Sequence, residues 1–99
     1  MNITYTFRHT NTSDALQKLT EDKLARLDKY VVGPVTAHLI VDTDGHHQMS
    51  LEIDFHSKGF HAVASASGNG ADAYKILDDV VGKLERQIRK HKEKVKAHP

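Results

Sequence analysis

The stretch DAYKILDDVVGKLERQIRKHKEKVK, residues 72–96, decides how the rest of the chain is read. At 100° per residue, Ala73, Leu77, Val80, Val81, Leu84, Ile88 and Val95 fall on one stripe, while Lys75, Lys83, Arg86, Arg89, Lys90 and Lys94 spread over the other sides. This pattern predicts one amphipathic helix of about 25 residues, roughly 37 Å long, whose apolar face needs a sheet or helix to cover it. Its second half carries seven bases (Lys83, Arg86, Arg89, Lys90, Lys92, Lys94 and Lys96) against two acids, Glu85 and Glu93. Half of the 14 basic side chains lie there, so a net charge of +1 conceals a segment near +5 on a body near −4. Two readings stand. Charge separated this sharply suits a polyanionic partner, and basic residues near a helix C-terminus also complement the macrodipole. The dipole effect fades beyond the last turn and does not account for Lys83 and Arg86, further in.

Working back from the helix, Gly68-Asn69-Gly70 is a turn into it, with Asp72 at the cap. Before the turn, Phe60, Ala62, Ala64 and Ala66 alternate with polar residues as a strand whose small inward side chains suit a helix lying close on it. Lys58-Gly59 turns the chain out of another strand, with Met49, Leu51, Ile53 and Phe55 inward, and Asp44-Gly45 is a hairpin signal before that. Val35, Ala37, Leu39 and Val41 form a further inward set, and Ile3, Tyr5 and Phe7 a first one. Between these two lies a helix, capped by Ser13, reaching about Val31 and stopped by Gly33-Pro34. Its stripe of Leu16, Leu19, Leu24, Leu27, Tyr30 and Val31 is interrupted by Lys23. That lysine either snorkels past the core edge or is a cation set between two helices.

The order β-α-β-β-β-α gives an α+β fold with a four-stranded mixed sheet, β1 parallel to β2, and both helices on one face. The uncovered face is expected to show Thr4, Thr6, His38, Ile40, Ser50, Glu52, Asp54, Val63 and Ser65. With no aromatic platform and two carboxylates, it is a poor surface for single-stranded RNA. At 99 residues the chain is read as one domain. The sequence lacks cysteine, a long apolar run and a leader pattern, so no disulfide, thiolate site or membrane association is expected and the expected compartment is the cytoplasm.

Catalytic patterns are weak. Of eight histidines, His46 and His47 with His56 and His61 form the nearest approach to a metal cluster, but adjacent strand residues point to opposite faces, and no metal site is assigned. Nothing resembles a strained nucleophile turn, and Gly68-x-Gly70 lacks the other residues of a phosphate loop. The chain is read as a non-enzyme with no cofactor and no small-molecule substrate.

Asp72-Ala73-Tyr74, Asp78 and the run KLERQIRKHKEKVK at 83–96 closely resemble the second helix of the bacterial ribosome hibernation promoting factors, also labelled ribosome-associated inhibitor A or sigma-54 modulation proteins. Lys23-Leu24-Ala25-Arg26-Leu27-Asp28-Lys29-Tyr30 is similar to the end of that family's first helix, and Ala64-Ser65-Ala66-Ser67-Gly68 to its last strand. The resemblance covers essentially the whole chain, and the family fold, itself similar to double-stranded RNA-binding domains, agrees with the order read from periodicity.

The resemblance implies binding to the small ribosomal subunit and its 16S-type RNA, in the channel used by messenger RNA and by transfer RNA at the A and P sites, so that translation is blocked and idle ribosomes are stabilised. It implies Lys83, Arg86, Lys90 and Lys94 as RNA-gripping residues, with Arg89 and Lys92 beside them and Lys23, Arg26 and Lys29 from the first helix. The chain resembles the short form, without a C-terminal dimerisation domain, in which ribosome pairing also needs a separate modulation factor. Gly82, on the outward side near Arg86, either lets an RNA backbone approach or is a tolerated surface glycine. Two other functions remain open: a general double-stranded RNA reader, and a protein-interaction module acting on a sigma factor.

Overall fold

The computed structural model describes residues 1–97, with side chains described through Lys92. Four strands, β1 (Asn2–Arg8), β2 (Thr36–Thr43), β3 (Gln48–Ser57) and β4 (Phe60–Asn69), form one sheet in the order β1-β2-β3-β4. β1 is parallel to β2, and the other two pairings are antiparallel, as the connection lengths require. The first helix, α1 (Asp14–Ala25), fills the β1–β2 crossover, and α2 (Ala73–Ala97) follows β4.

Apolar alternation sets the register. Ile3, Ala37, Phe55 and Ala62 lie in one cross-strand row, Tyr5, Leu39, Ile53 and Ala64 in the next, and Phe7, Val41, Leu51 and Ala66 in the third. A one-residue slip in any strand would turn its whole set out to water. Each row ends in alanine at β4, and α2 packs there and on β3, burying Ile76, Leu77, Val80, Leu84 and Ile88. Ile76 belongs to that stripe although the wheel count leaves it out. Leu16, Leu24, Leu27 and Val35 complete the core, together with Thr20, whose hydroxyl donates to the Leu16 carbonyl at 2.7 Å.

Three boundaries differ from the sequence reading. Ser13 caps α1 as expected, its hydroxyl accepting from the Leu16 N–H at 3.1 Å, but the α-helix ends at Ala25 and continues as a 3₁₀ turn over Arg26–Tyr30. The tighter turn brings Leu27 into the core while Val31 is already extended. Gly68 and Asn69 are not a turn but the last rungs of β4, paired with Met49 and Gln48. Ile76 packs over Gly68, where a Cβ would meet Ile76 Cγ1 in ordinary van der Waals contact at 3.4 Å. Asp72 is the end of a short 3₁₀ turn, and the side-chain cap is Asn69, accepting from the Ala71 N–H at 2.9 Å.

Candidate nucleic-acid interface

The α2 helix is tied to the edge of the sheet by its own polar side chains. Lys83 Nζ donates to the Ser65 carbonyl at 2.9 Å, and Gln87 Nε2 donates to the Val63 carbonyl at 3.0 Å. The two bonds repeat because α2 runs antiparallel to β4. Four helical residues rise about 6 Å, nearly the roughly 6.8 Å spanned by two strand residues, so positions 83 and 87 meet carbonyls 65 and 63 in turn. These bonds cover part of an edge strand that would otherwise offer unpaired carbonyls to another chain.

With that flank fixed and the apolar stripe buried, α2 turns Arg86, Arg89 and Lys90 outward. All three are exposed and make no ion pair or side-chain hydrogen bond with other described residues. They occupy little more than one helical turn, so three cations share one rigid patch. Lys92 lies on the side of α2 facing the 3₁₀ turn, which itself carries Lys29, and their ammonium groups are 5.8 Å and 5.2 Å from the centre of the Tyr30 ring. Both distances are within cation–π range. The Tyr30 hydroxyl donates to Glu85 Oε1 at 3.3 Å, anchoring that ring against α2. Arg26 is exposed beside the cleft between the helices, which is lined by Lys23, Leu27, Asp78, Val81, Gly82 and Glu85. Lys94 lies outside the described side chains.

Lys23 settles its own ambiguity. Its side chain is only 15% exposed, and its ammonium is ion-paired with Asp78 of α2. It is therefore the cation between two helices, but it is committed to joining them rather than presented to a ligand. Lys83 is similarly engaged through Ser65, though it remains exposed. Of the nine residues that the sequence singles out, Arg86, Arg89 and Lys90 form the outward patch, Arg26, Lys29 and Lys92 flank it, and Lys23 and Lys83 also hold the fold.

A groove of about 740 Å³ runs between α2 and the β4 edge, lined by Ser65, Ser67, Asp79, Gly82, Lys83 and Arg86 among others. Asp78 and Asp79 outnumber Lys75 in the amino-terminal part of α2, so the net positive charge of the helix lies from Lys83 onward. A Cβ added at Gly82 meets nothing within 4 Å, and this open position lies between the groove and the interhelical cleft.

The four histidines 46, 47, 56 and 61 do not gather in one place. His46 and His47 occupy the β2–β3 turn, whereas His56 and His61 lie at the other end of β3 and face each other across β3 and β4. Their shared neighbour is Asp54, whose carboxylate is held below its ordinary range chiefly by the hydrogen bond from His61, with His56 adding to the effect. On the same open face His38 lies between the Thr4 and Thr6 hydroxyls, 2.5 Å and 2.8 Å from its two ring nitrogens.

Residues 3–96 match the family described as sigma 54 modulation protein / S30EA ribosomal protein. A ribosome hibernation promoting factor of Azotobacter vinelandii is 30% identical over 95% of this chain and 85% of its own length. One from Escherichia coli K12 is 31% identical over 99% of this chain and its own full length. Among solved structures, the N-terminal domain of Thermus thermophilus Protein Y superposes with a TM-score of 0.81 at 30% identity, covering 92% of this chain and 99% of that one. On sequence and on fold alike, this chain belongs to the sigma 54 modulation protein / S30EA ribosomal protein family.

Proposed function

We propose that this protein is a ribosome hibernation factor that docks on the small ribosomal subunit, in the channel of messenger and transfer RNA, through the outward cations of α2. The observation that carries this reading is the patch of Arg86, Arg89 and Lys90, exposed on a helix whose other flanks are pinned by Lys83, Gln87 and the core. Such a patch binds phosphates without reading base sequence, and a rigid helix fixes the spacing of its contacts. Arg86 is the principal contact, because a guanidinium engages phosphate in bidentate fashion. Arg26, Lys29 and Lys92 extend the surface along the 3₁₀ turn, while Lys23 positions α1 against α2. No chemistry is required. Occupation of the channel is itself the inhibition.

Sedimentation of the protein with purified small subunits tests this. Wild type is expected to pellet with them and to exclude messenger. Arg86→Ala/Lys90→Ala stays in the supernatant. If about five phosphates are neutralised, log K falls with log salt at a slope of roughly −3.5 to −4.5. Equal binding to bulk duplex RNA would support a general reader of A-form duplexes instead. Salt-insensitive binding to a sigma factor that survives loss of the basic patch would support a protein-interaction module.

A further inference from the structure

On the open face of the sheet, beside the β3–β4 turn, three donor side chains converge outside the basic patch. Asp54 and His56 are two residues apart on β3 and so project from the same face, and His61 is the direct cross-strand partner of His56. The two imidazoles stack with centroids 4.0 Å apart and planes 11° from parallel. Both Nε2 atoms reach the same carboxylate oxygen, Asp54 Oδ1, at 2.5 Å from His61 and 3.1 Å from His56. One ligand atom from each residue lies within 4.8 Å of the other two.

We propose that Asp54, His56 and His61 form a binding site for one divalent transition-metal ion of the zinc type. Two imidazole nitrogens and one carboxylate suit ions of that class, whereas magnesium and calcium take oxygen ligands. With bonds near 2.0–2.1 Å, donors in a tetrahedral site stand about 3.3 Å apart, so the His61 ring withdraws by under about 1 Å from its present distance to Asp54. Exposed side chains make that movement without disturbing the core. An Nε2 proton now shared with Asp54 leaves for Nδ1 or for water, freeing the lone pair that ligates. The fourth position stays open to solvent. His38 does not join, since the hydroxyls of Thr4 and Thr6 occupy both of its nitrogens. The ion would tie β3 to β4 on the face away from the helices, so this inference does not depend on the ribosome reading.

Calorimetric titration of the metal-stripped chain, free of any histidine tag, with zinc chloride and separately with magnesium chloride tests the site. One zinc per chain and no magnesium uptake are expected. His56→Ala and His61→Ala each weaken zinc binding by at least about tenfold, while His46→Ala/His47→Ala leaves it unchanged. Thermal unfolding of all three variants verifies that they remain folded, and zinc raises the wild-type midpoint saturably. No saturable zinc uptake by wild type, or uptake undiminished in His61→Ala, would overturn the proposal. Sedimentation of His61→Ala with small subunits is expected to match wild type.

Discussion

The ammonium of Lys83 donates to the backbone carbonyl of Ser65 at 2.9 Å, which makes one member of the basic row a clasp on the edge of the sheet. The same cation cannot give that hydrogen to a phosphate while the clasp is closed. Under the proposed function, stability and RNA affinity therefore separate along α2.

Lys83→Met is expected to lower folding stability by about 0.5–1.5 kcal/mol, the net value of a hydrogen bond. Arg86→Met, at an outward position with no such partner among the described residues, should stay within about 0.5 kcal/mol of wild type. Urea unfolding measures both. For ribosome binding the order reverses, with Arg86→Met the more damaging. Equal stability losses would contradict the clasp.

Lys23 and Asp78 make an asymmetric pair, the lysine mostly enclosed and the aspartate 60% exposed. Asp78→Asn strands the enclosed ammonium and is expected to cost about 1–2 kcal/mol, less than for a fully buried pair. Lys23→Met removes the charge itself and costs less than Asp78→Asn, since methionine fills a similar volume. Denaturant unfolding of both single variants and the double variant gives the coupling directly.

Much of the fold is legible in the sequence because it rests on local periodicity. Alternation in Ala37, Leu39 and Val41 and in Leu51, Ile53 and Phe55 marks the strands and their inward faces. What is not legible depends on partners far along the chain. Lys23 is visible as a misfit in an apolar stripe, but Asp78, its partner, lies on the other helix. Gly68-Asn69 carries turn residues yet continues β4, because the strand's rungs to Met49 and Gln48 of β3 continue. The basic row is plain from composition. Which of its members are outward and which are engaged follows only from α2 lying antiparallel to β4. The His56–His61 pair needed the register across the Lys58-Gly59 turn, and counting inward from that turn opposes 56 with 61.

Gly82→Ala fits without contact and removes a helix-interior glycine, so it is expected to raise stability by about 1 kcal/mol. If an RNA backbone packs against the gap between groove and cleft, the same variant binds small subunits more weakly. Unchanged binding with raised stability assigns Gly82 to the surface alone.

Tyr5 supplies an alkaline signature. Its hydroxyl shares its one hydrogen between the Gln17 carbonyl at 3.1 Å and Glu21 Oε1 at 3.3 Å. Burial, followed by the Glu21 charge and hydrogen bond, raises its pKa from 10.0 to about 12. A raised folded-state pKa favours the protonated fold, so this contribution is complete below pH 10 and is lost as pH rises toward 12. Tyr5→Phe should be less stable than wild type at pH 8, and the gap should narrow across that alkaline window. Unfolding midpoints of the two proteins at pH 8, 10, 11 and 12 measure it.

The proposed function rests on a grip on ribosomal RNA by the outward cations of α2. Its most direct measurement is the affinity of wild type and Arg86→Ala/Lys90→Ala for purified small subunits across a salt series. Wild type is expected to bind tightly with an affinity that falls steeply with salt, and the double variant to bind more weakly with a slope shallower by about two phosphates. Identical affinities and identical slopes would contradict it.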